Sequence, residues 1–151
     1  MKPLRRSLSG PWMARSLWIQ AFCLLVVIRI GLWASTLSTV RSVLKRLARG
    51  PAHLRAGPVP QDSAVVARVV GAVQTAGRWV PEATCLAQAL AAQTLLARHG
   101  YPSHLHIGVG RDEQGKFVAH AWLEWQVTVI IGGPDVNSRY AVMPGGQWES
   151  L

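Results

Sequence analysis

Residues 81–102 read PEATCLAQALAAQTLLARHGYP, and this stretch decides the fold. The Ala, Leu and Gln residues from Cys85 onward are strong helix formers, and Thr84 directly before them is a favourable amino-terminal cap. Gly100 and Pro102 are residues that typically follow the end of a helix. The stretch therefore predicts a helix that begins at or near Cys85 and stops at Gly100.

Strand-like segments follow this helix. Residues 103–109 alternate between apolar and polar side chains, which is typical of a half-buried strand. A polar turn over 110–116 leads to FVAHAWLEW at 117–125, and then come VTVII at 127–131 and the turn Gly132-Gly133-Pro134. A helix followed by antiparallel strands predicts an α+β fold in which the helix packs on a small sheet.

An apolar segment, LWIQAFCLLVVIRIGLWA, occupies residues 17–34. Gln20 and Arg29 interrupt it, which makes it short and costly as a membrane span. We expect a buried or interfacial helix here, with a span or signal anchor as the alternative. Cys23 within the segment is interpreted as a small core residue.

Two more helices are predicted before residue 81, over about 36–48 and 62–77. Residues 50–61 are rich in proline and glycine and are typical of a linker. The chain is therefore predicted to comprise a basic, apolar helical segment at 1–50, a linker at 51–61 and a single domain at 62–151.

The charge is distributed unevenly. Ten of the sixteen Lys and Arg residues lie in residues 1–61, which contain no Asp or Glu, whereas the remainder has six bases against seven acids. This asymmetry predicts an anionic partner for the first third or, alternatively, a solvated basic helix. The Arg and Lys residues within 37–49 lack interleaved aromatic residues and any nucleic-acid-binding motif, so nucleic-acid binding is excluded as the main function. The two cysteines form no disulfide framework, which indicates a reducing compartment and a cytoplasmic protein.

Cys85 and His120 are the candidate catalytic residues. A thiol is nucleophilic only as the thiolate, and a helix amino terminus favours the anion. The Cys85 backbone N–H at that position can also donate to an oxyanion. His120, on a strand expected to pack against the helix, can accept the thiol proton and return it to a leaving amine. Two strand histidines, His104 and His106, make only a weak zinc site. We therefore predict no metal and no cofactor.

The same residues carry a family resemblance. The strings TCLAQALAAQTLLARHGYP, HLHIGVG, FVAHAWLEW and VIIGG, which lie between residues 80 and 143, resemble the lasso-peptide B2 proteins. These are transglutaminase-like leader peptidases related to the carboxyl-terminal domain of the microcin J25 processing protein. The resemblance implies a papain- or transglutaminase-like fold and a cysteine protease.

What the resemblance implies is removal of the leader from a ribosomally made precursor peptide. An ATP-dependent lasso cyclase then joins the freed core amine to an Asp or Glu side chain. The family's leader-recognition domain is not evident in this sequence, which implies a separate recognition protein as partner. Peripheral membrane contact through residues 12–49 is compatible with this function and would make the cytoplasmic enzyme membrane-associated.

The third member of the triad departs from the family pattern. The family commonly has an acid a dozen residues after the histidine, and here that position is Gly132. Asp135 is the nearest acid beyond it and is the first choice for orienting His120. Glu124, on the same strand face as His120, is the alternative. A third possibility is that no side-chain acid is required.

Two rival functions remain. Another acyl-transfer enzyme on the same scaffold, such as a transglutaminase or an amidase, would use the same Cys85 and His120 with a different acceptor. A membrane-anchored interaction protein would instead depend on the basic amino-terminal segment.

Overall fold

The computed structural model describes residues 11–49, 62–81 and 83–148. The predicted linker, residues 51–61, lies outside the described residues. The elements in chain order are helices α1 (Pro11–Ala34), α2 (Leu37–Ala48), α3 (Ser63–Gly77) and α4 (Cys85–Arg98), strands β1 (His104–Arg111), β2 (Phe117–Trp125) and β3 (Thr128–Ile131), helix α5 (Val136–Arg139) and strand β4 (Ala141–Trp148). The predicted α+β class is confirmed.

Helix α4 is the centre of the domain. Every residue from Ala89 to Ala97 is buried, because α1, α2 and α3 pack on its sides and the sheet covers the remainder. A helix that is buried on all sides can carry alanines and leucines without an amphipathic pattern. Leu90, Leu95 and Leu96 are at most 1% exposed, and each fully buried leucine contributes about 1.5–3 kcal/mol of transfer free energy.

Side-chain and glycine caps fix where the helices begin and end. The Thr84 hydroxyl accepts a hydrogen bond from the Ala87 backbone N–H at 3.3 Å, so α4 begins at Cys85 as predicted. At the other end Gly100 has φ +82°, and the Tyr101 N–H donates to the Leu96 carbonyl at 2.9 Å. Asp62 caps α3 in the same way as Thr84 caps α4, through the Ala64 N–H at 2.9 Å.

The sheet is antiparallel with the strand order β3-β2-β1-β4. Strands β1 and β2 pair along their whole length, from His104 opposite Glu124 to Arg111 opposite Phe117. Strand β3 is short and pairs only with the last three residues of β2. The first part of β2 therefore has no strand partner on its β3 side.

The two faces of the sheet have different neighbours. Leu105, Ala121 and Leu123 belong to the core around α4, so the alternate residues of β1 and β2 point to the opposite face. That opposite face carries His106, Trp122 and His120 on the two strands and is lined by Tyr140, which leads from α5 into β4. Trp122 and Trp125 lie on opposite faces, as the alternation predicts, and both are buried.

Three features differ from the expectations drawn from the sequence. Helix α5 and strand β4 were not predicted, because AVMPGGQW contains a proline and two glycines that are unfavourable in strands. The first helix begins at Pro11, earlier than the apolar run indicated. The interpretation of Cys23 as a core residue is wrong: it is exposed, because Ala21, Leu25 and Ile28 form the buried face of α1.

Helix α1 satisfies the length and composition of a membrane span over Arg15–Ala34, alone among the helices that the structure describes. Its inner face is nevertheless part of the domain core, since Ala21, Leu25 and Ile28 are fully buried. Helices α1 and α2 share one core with α3, α4 and the sheet. The predicted domain boundaries stay a prediction.

Candidate active site

Cys85 is the first residue of α4. Its thiol is partly buried against the core, and the turn before it is held by Gln88, whose side-chain amide donates to the Ala83 carbonyl at 3.1 Å. The Cys85 backbone N–H lies among the first N–H groups of the helix, which have no intrahelical acceptor. Within residues 83–148 and the other described ranges, no hydrogen bond occupies it. Its predicted role as a donor to an oxyanion stays a prediction.

The His120 ring is fixed by two contacts. Its Nε2 lies 2.9 Å from the Gly132 carbonyl oxygen, and its plane stacks on Tyr140 with ring centroids 4.9 Å apart and an interplanar angle of 22°. A carbonyl can only accept, so this contact requires a hydrogen on Nε2. In the neutral ring, Nδ1 then carries the free lone pair and is the basic atom.

Gly132 lies twelve residues after His120, at the position where the resemblance predicts an acid. Its backbone oxygen makes the polar contact with the ring. A side chain is not tolerated there: a Cβ on Gly132 would lie 2.4 Å from the Trp122 Cβ, and the backbone has φ +116°. The sequence signal was the Gly132-Gly133 pair in place of an acid, but no sequence rule indicates which carbonyl meets the ring.

The two predicted acids have other surroundings. Asp135 is exposed and precedes α5, and its side chain makes no cap hydrogen bond; its backbone carbonyl accepts from the Ser138 hydroxyl at 2.9 Å. The Glu124 carboxylate lies 3.5 Å from His106 Nε2. Among the described residues, the polar contact of the His120 ring is with Gly132 and with neither acid. The triad roles assigned to Asp135 and Glu124 stay predictions.

His106 belongs to a row of stacked rings on the face away from α4. This aromatic row consists of His106, Trp122, Tyr140 and His120, with His106 and Trp122 stacked at 5.4 Å and Trp122 tilted against Tyr140 at 6.5 Å. Burial is the main cause that lowers the pKa of His106; Glu124 acts in the opposite direction, and His104 lowers the pKa further. Through Tyr140 the row is in contact with the His120 ring.

The side chains of Cys85 and His120 do not face each other across the helix–sheet interface. Ala121 and Leu123 point toward α4, so His120 points to the other face. Among the described residues there is no hydrogen bond between the Cys85 thiol and His120. The predicted packing of the His120 strand against α4 is observed, and the joint catalytic role of Cys85 and His120 stays a prediction.

Metal ligands are not gathered in this site. Within the three described ranges, no group of three or more His, Cys, Asp or Glu side chains is close enough to hold a metal ion.

The sequence comparison identifies the family at the superfamily level. The profile of the transglutaminase-like superfamily matches residues 23–144, which is most of the chain and includes both Cys85 and His120. The chain belongs to the transglutaminase-like superfamily. No curated protein and no solved structure matches it. The superfamily has a fold typical of cysteine proteases and acyltransferases, and this fold agrees with the observed helix and antiparallel sheet.

Proposed function

We propose that the protein is a cysteine peptidase of the lasso-peptide B2 type, which removes the leader from a ribosomally made precursor. The observation that carries the proposal is that Cys85 begins a buried helix which packs on β2, the strand that holds His120 with its Nε2 at a carbonyl. Membership of the transglutaminase-like superfamily supports the acyl-transfer chemistry. The motifs around Cys85 and His120 that resemble the B2 proteins support the finer assignment.

Each step of the reaction has a group to perform it. His120 Nδ1 removes the thiol proton, and the Cys85 sulfur attacks the scissile carbonyl carbon. The Cys85 N–H donates to the developing oxyanion. The protonated Nδ1 then gives its proton to the leaving amine, which becomes the amino terminus of the core peptide. Water, deprotonated by the same nitrogen, hydrolyses the thioester and releases the leader with a free carboxylate.

The open edge of β2 is where we place the substrate. Among the described residues, no strand pairs with the β3 side of β2 from Phe117 to His120, and an extended peptide can add to such an edge through backbone hydrogen bonds. Because the free protein holds the His120 ring on the face away from α4, the proposal requires that peptide binding moves the ring or the amino end of α4.

The partners follow from the same assignment. A separate leader-recognition protein would present the precursor, and a lasso cyclase would consume the freed core amine in a cytoplasmic pathway. These partners rest on the family resemblance.

The first experiment is a cleavage assay with a lasso precursor and the recognition protein encoded beside it, followed by mass spectrometry of the products. C85A and H120A should abolish leader release, whereas C23S and H104Q, which alter an exposed cysteine and an exposed histidine, should retain it. Circular dichroism spectra of all four variants should match that of the parent protein. Full activity of a folded C85A or H120A would refute the mechanism.

A second experiment needs no precursor. Cys23 is exposed and Cys85 is partly buried, so accessibility alone predicts that iodoacetamide labels Cys23 faster. A catalytic thiol predicts the reverse order, because the thiolate is the reactive form. Preferential labelling of Cys23, unchanged by H120A, would contradict the assignment of Cys85 as nucleophile.

The superfamily match leaves the acceptor open, so a transglutaminase or amidase on the same scaffold is the second candidate. Adding a primary amine to the cleavage assay distinguishes them. A peptidase yields the free carboxylate, and a transglutaminase yields the corresponding amide.

A further inference from the structure

We propose that the outer face of α1, together with the basic residues of α2, is a docking surface for an anionic lipid bilayer. Through this surface the protein would bind the membrane peripherally, as a monotopic enzyme. The proposal is independent of the peptidase assignment, because it concerns residues that do not contribute to the site of Cys85 and His120.

The first observation is an exposed apolar stripe on α1. Ile19, Val27, Ile30 and Trp33 are 54%, 51%, 58% and 85% exposed, respectively. The exposed positions from Ile19 to Ala34 follow helical spacing and include no charged residue; they are Ile19, Gln20, Cys23, Val27, Ile30, Trp33 and Ala34. They form a stripe about 22 Å long, and an exposed apolar surface of this kind marks an interaction site.

The second observation excludes a membrane span for the folded domain. Ala21, Leu25 and Ile28 on the opposite side of α1 are fully buried in the core. A spanning α1 would have to leave that core and expose the apolar surfaces of α3 and α4 that it covers. A helix with one face in a protein core and the other apolar face exposed can instead lie in the plane of the membrane interface.

The third observation selects lipid over a protein partner. Helices α1 and α2 contain five basic residues and no acid; the basic residues are Arg15, Arg29, Arg41, Lys45 and Arg46. Lys45 and Arg46 are exposed on α2, whose buried side is formed by Val40, Leu44 and Ala48, and the next residue, Arg49, is exposed as well. Exposed positive charge on α2, together with the apolar stripe of α1, complements a surface of acyl chains and anionic headgroups.

Trp33 strengthens this choice. It is the most exposed of the large apolar side chains on α1 and lies one residue before the end of that helix, where the chain turns toward α2. An indole is favourable at the boundary between headgroups and acyl chains, because its ring is apolar and its N–H can remain hydrated.

The test is co-flotation of the full-length protein with vesicles. One set contains phosphatidylcholine alone, and in the other set part of it is replaced by phosphatidylglycerol. We expect binding to the anionic vesicles and little binding to the neutral vesicles. We also expect release at about 1 M salt, where the Debye length is only about 3 Å. Equal binding to both sets, or no binding to either, would overturn the proposal.

Two variants with matched controls test the surface itself. I30S/W33S should weaken partitioning roughly tenfold or more, because two apolar side chains no longer enter the interface. V127S/W79S, which changes exposed apolar residues elsewhere, should not weaken it. K45Q/R46Q should weaken binding roughly tenfold or more, whereas R98Q/R139Q, which removes the same charge outside α1 and α2, should have little effect.

Two further measurements would detect a different role for this face of α1. Self-association of the protein without vesicles, abolished by I30S/W33S, would assign the face to a second copy and overturn the proposal. Resistance of cell membranes to carbonate extraction would indicate a span and would also overturn it. Because I30S/W33S leaves the catalytic groups intact, precursor cleavage in solution should stay at the parent rate, which separates this proposal from the peptidase assignment.

Discussion

The substitution Gly132→Ala tests whether a backbone carbonyl orients the catalytic imidazole. The new Cβ would lie 2.4 Å from the Trp122 Cβ and 3.1 Å from its Cα. Carbon atoms pack best at about 3.5–4.0 Å, so the segment at Gly132 has to move by about 1 Å or more. That movement carries the carbonyl away from His120 Nε2, which it now meets at 2.9 Å.

The expected cost has two parts. A non-glycine residue at φ +116° costs about 1–3 kcal/mol in backbone strain, and the forced repacking against Trp122 adds about 1–3 kcal/mol. The loss of the Nε2 contact affects catalysis separately, because the ring is then free to adopt the other tautomer. A misplaced general base costs about 10²-fold or more in kcat/KM.

Gly133→Ala is the matched control. Gly133 also has a positive φ, +98°, but a Cβ there meets no atom within 4 Å. Both variants therefore carry backbone strain, and only G132A carries the clash and the displaced carbonyl. We expect G132A to lose about 10²-fold in kcat/KM for precursor cleavage, and G133A to lose less than tenfold, each corrected for the folded fraction.

Nitrogen NMR of ¹⁵N-labelled histidine gives a readout that a purely structural role would not change. His120 should be in the Nε2–H tautomer in the parent protein and in G133A, and mixed in G132A. Equal losses of activity in the two alanine variants, or an Nδ1–H tautomer in the parent, would refute the reasoning.

Three further predictions concern the surroundings of His120. If the Gly132 carbonyl alone orients the His120 ring, D135N and E124Q should each lower kcat/KM less than tenfold. A loss of orders of magnitude in D135N would instead make Asp135 the third member of the catalytic triad. Y140A should lower kcat/KM by about 2- to 10-fold, because the stack of Tyr140 on His120 contributes about 0.5–1.5 kcal/mol. Y140F keeps the stack and should keep the rate; equal rates in the two variants would show that the stack is dispensable. The free energy of unfolding should fall as the pH decreases below about 6.5, because burial lowers the pKa of His106 in the folded protein, so the unfolded chain binds a proton more readily. In urea titrations H106F should reduce this pH dependence, and H104Q should not. An unchanged pH dependence in H106F would exclude His106 as its source.

Much of the fold was determined by local sequence. Thr84 and Gly100 mark the ends of α4, and its Ala- and Leu-rich composition indicates a helix that is buried on several sides. Alternation in residues 117–125 indicates a strand and places His120 and Glu124 on one face. These signals are local, because caps and periodicity depend on neighbours a few residues away.

Local sequence signals did not predict the edge strand β4. Strand β4 pairs with β1 although its sequence contains Pro144 and two glycines. It is an edge strand, where a residue without an N–H can point away from the partner. Pairing with a strand that is about 30 residues away compensates for poor local propensity, and sequence patterns do not report such pairing.

For the site, the sequence by itself singled out Cys85 and His120 as candidates and showed that no acid occupies position 132. Only the tertiary structure decided that the Gly132 carbonyl holds Nε2, that Tyr140 stacks on the ring and that the imidazole points away from α4. The physical reason is that residue type specifies which groups can react. Which face and which carbonyl they meet depends on strand register and on how closely the Gly132 backbone approaches Trp122.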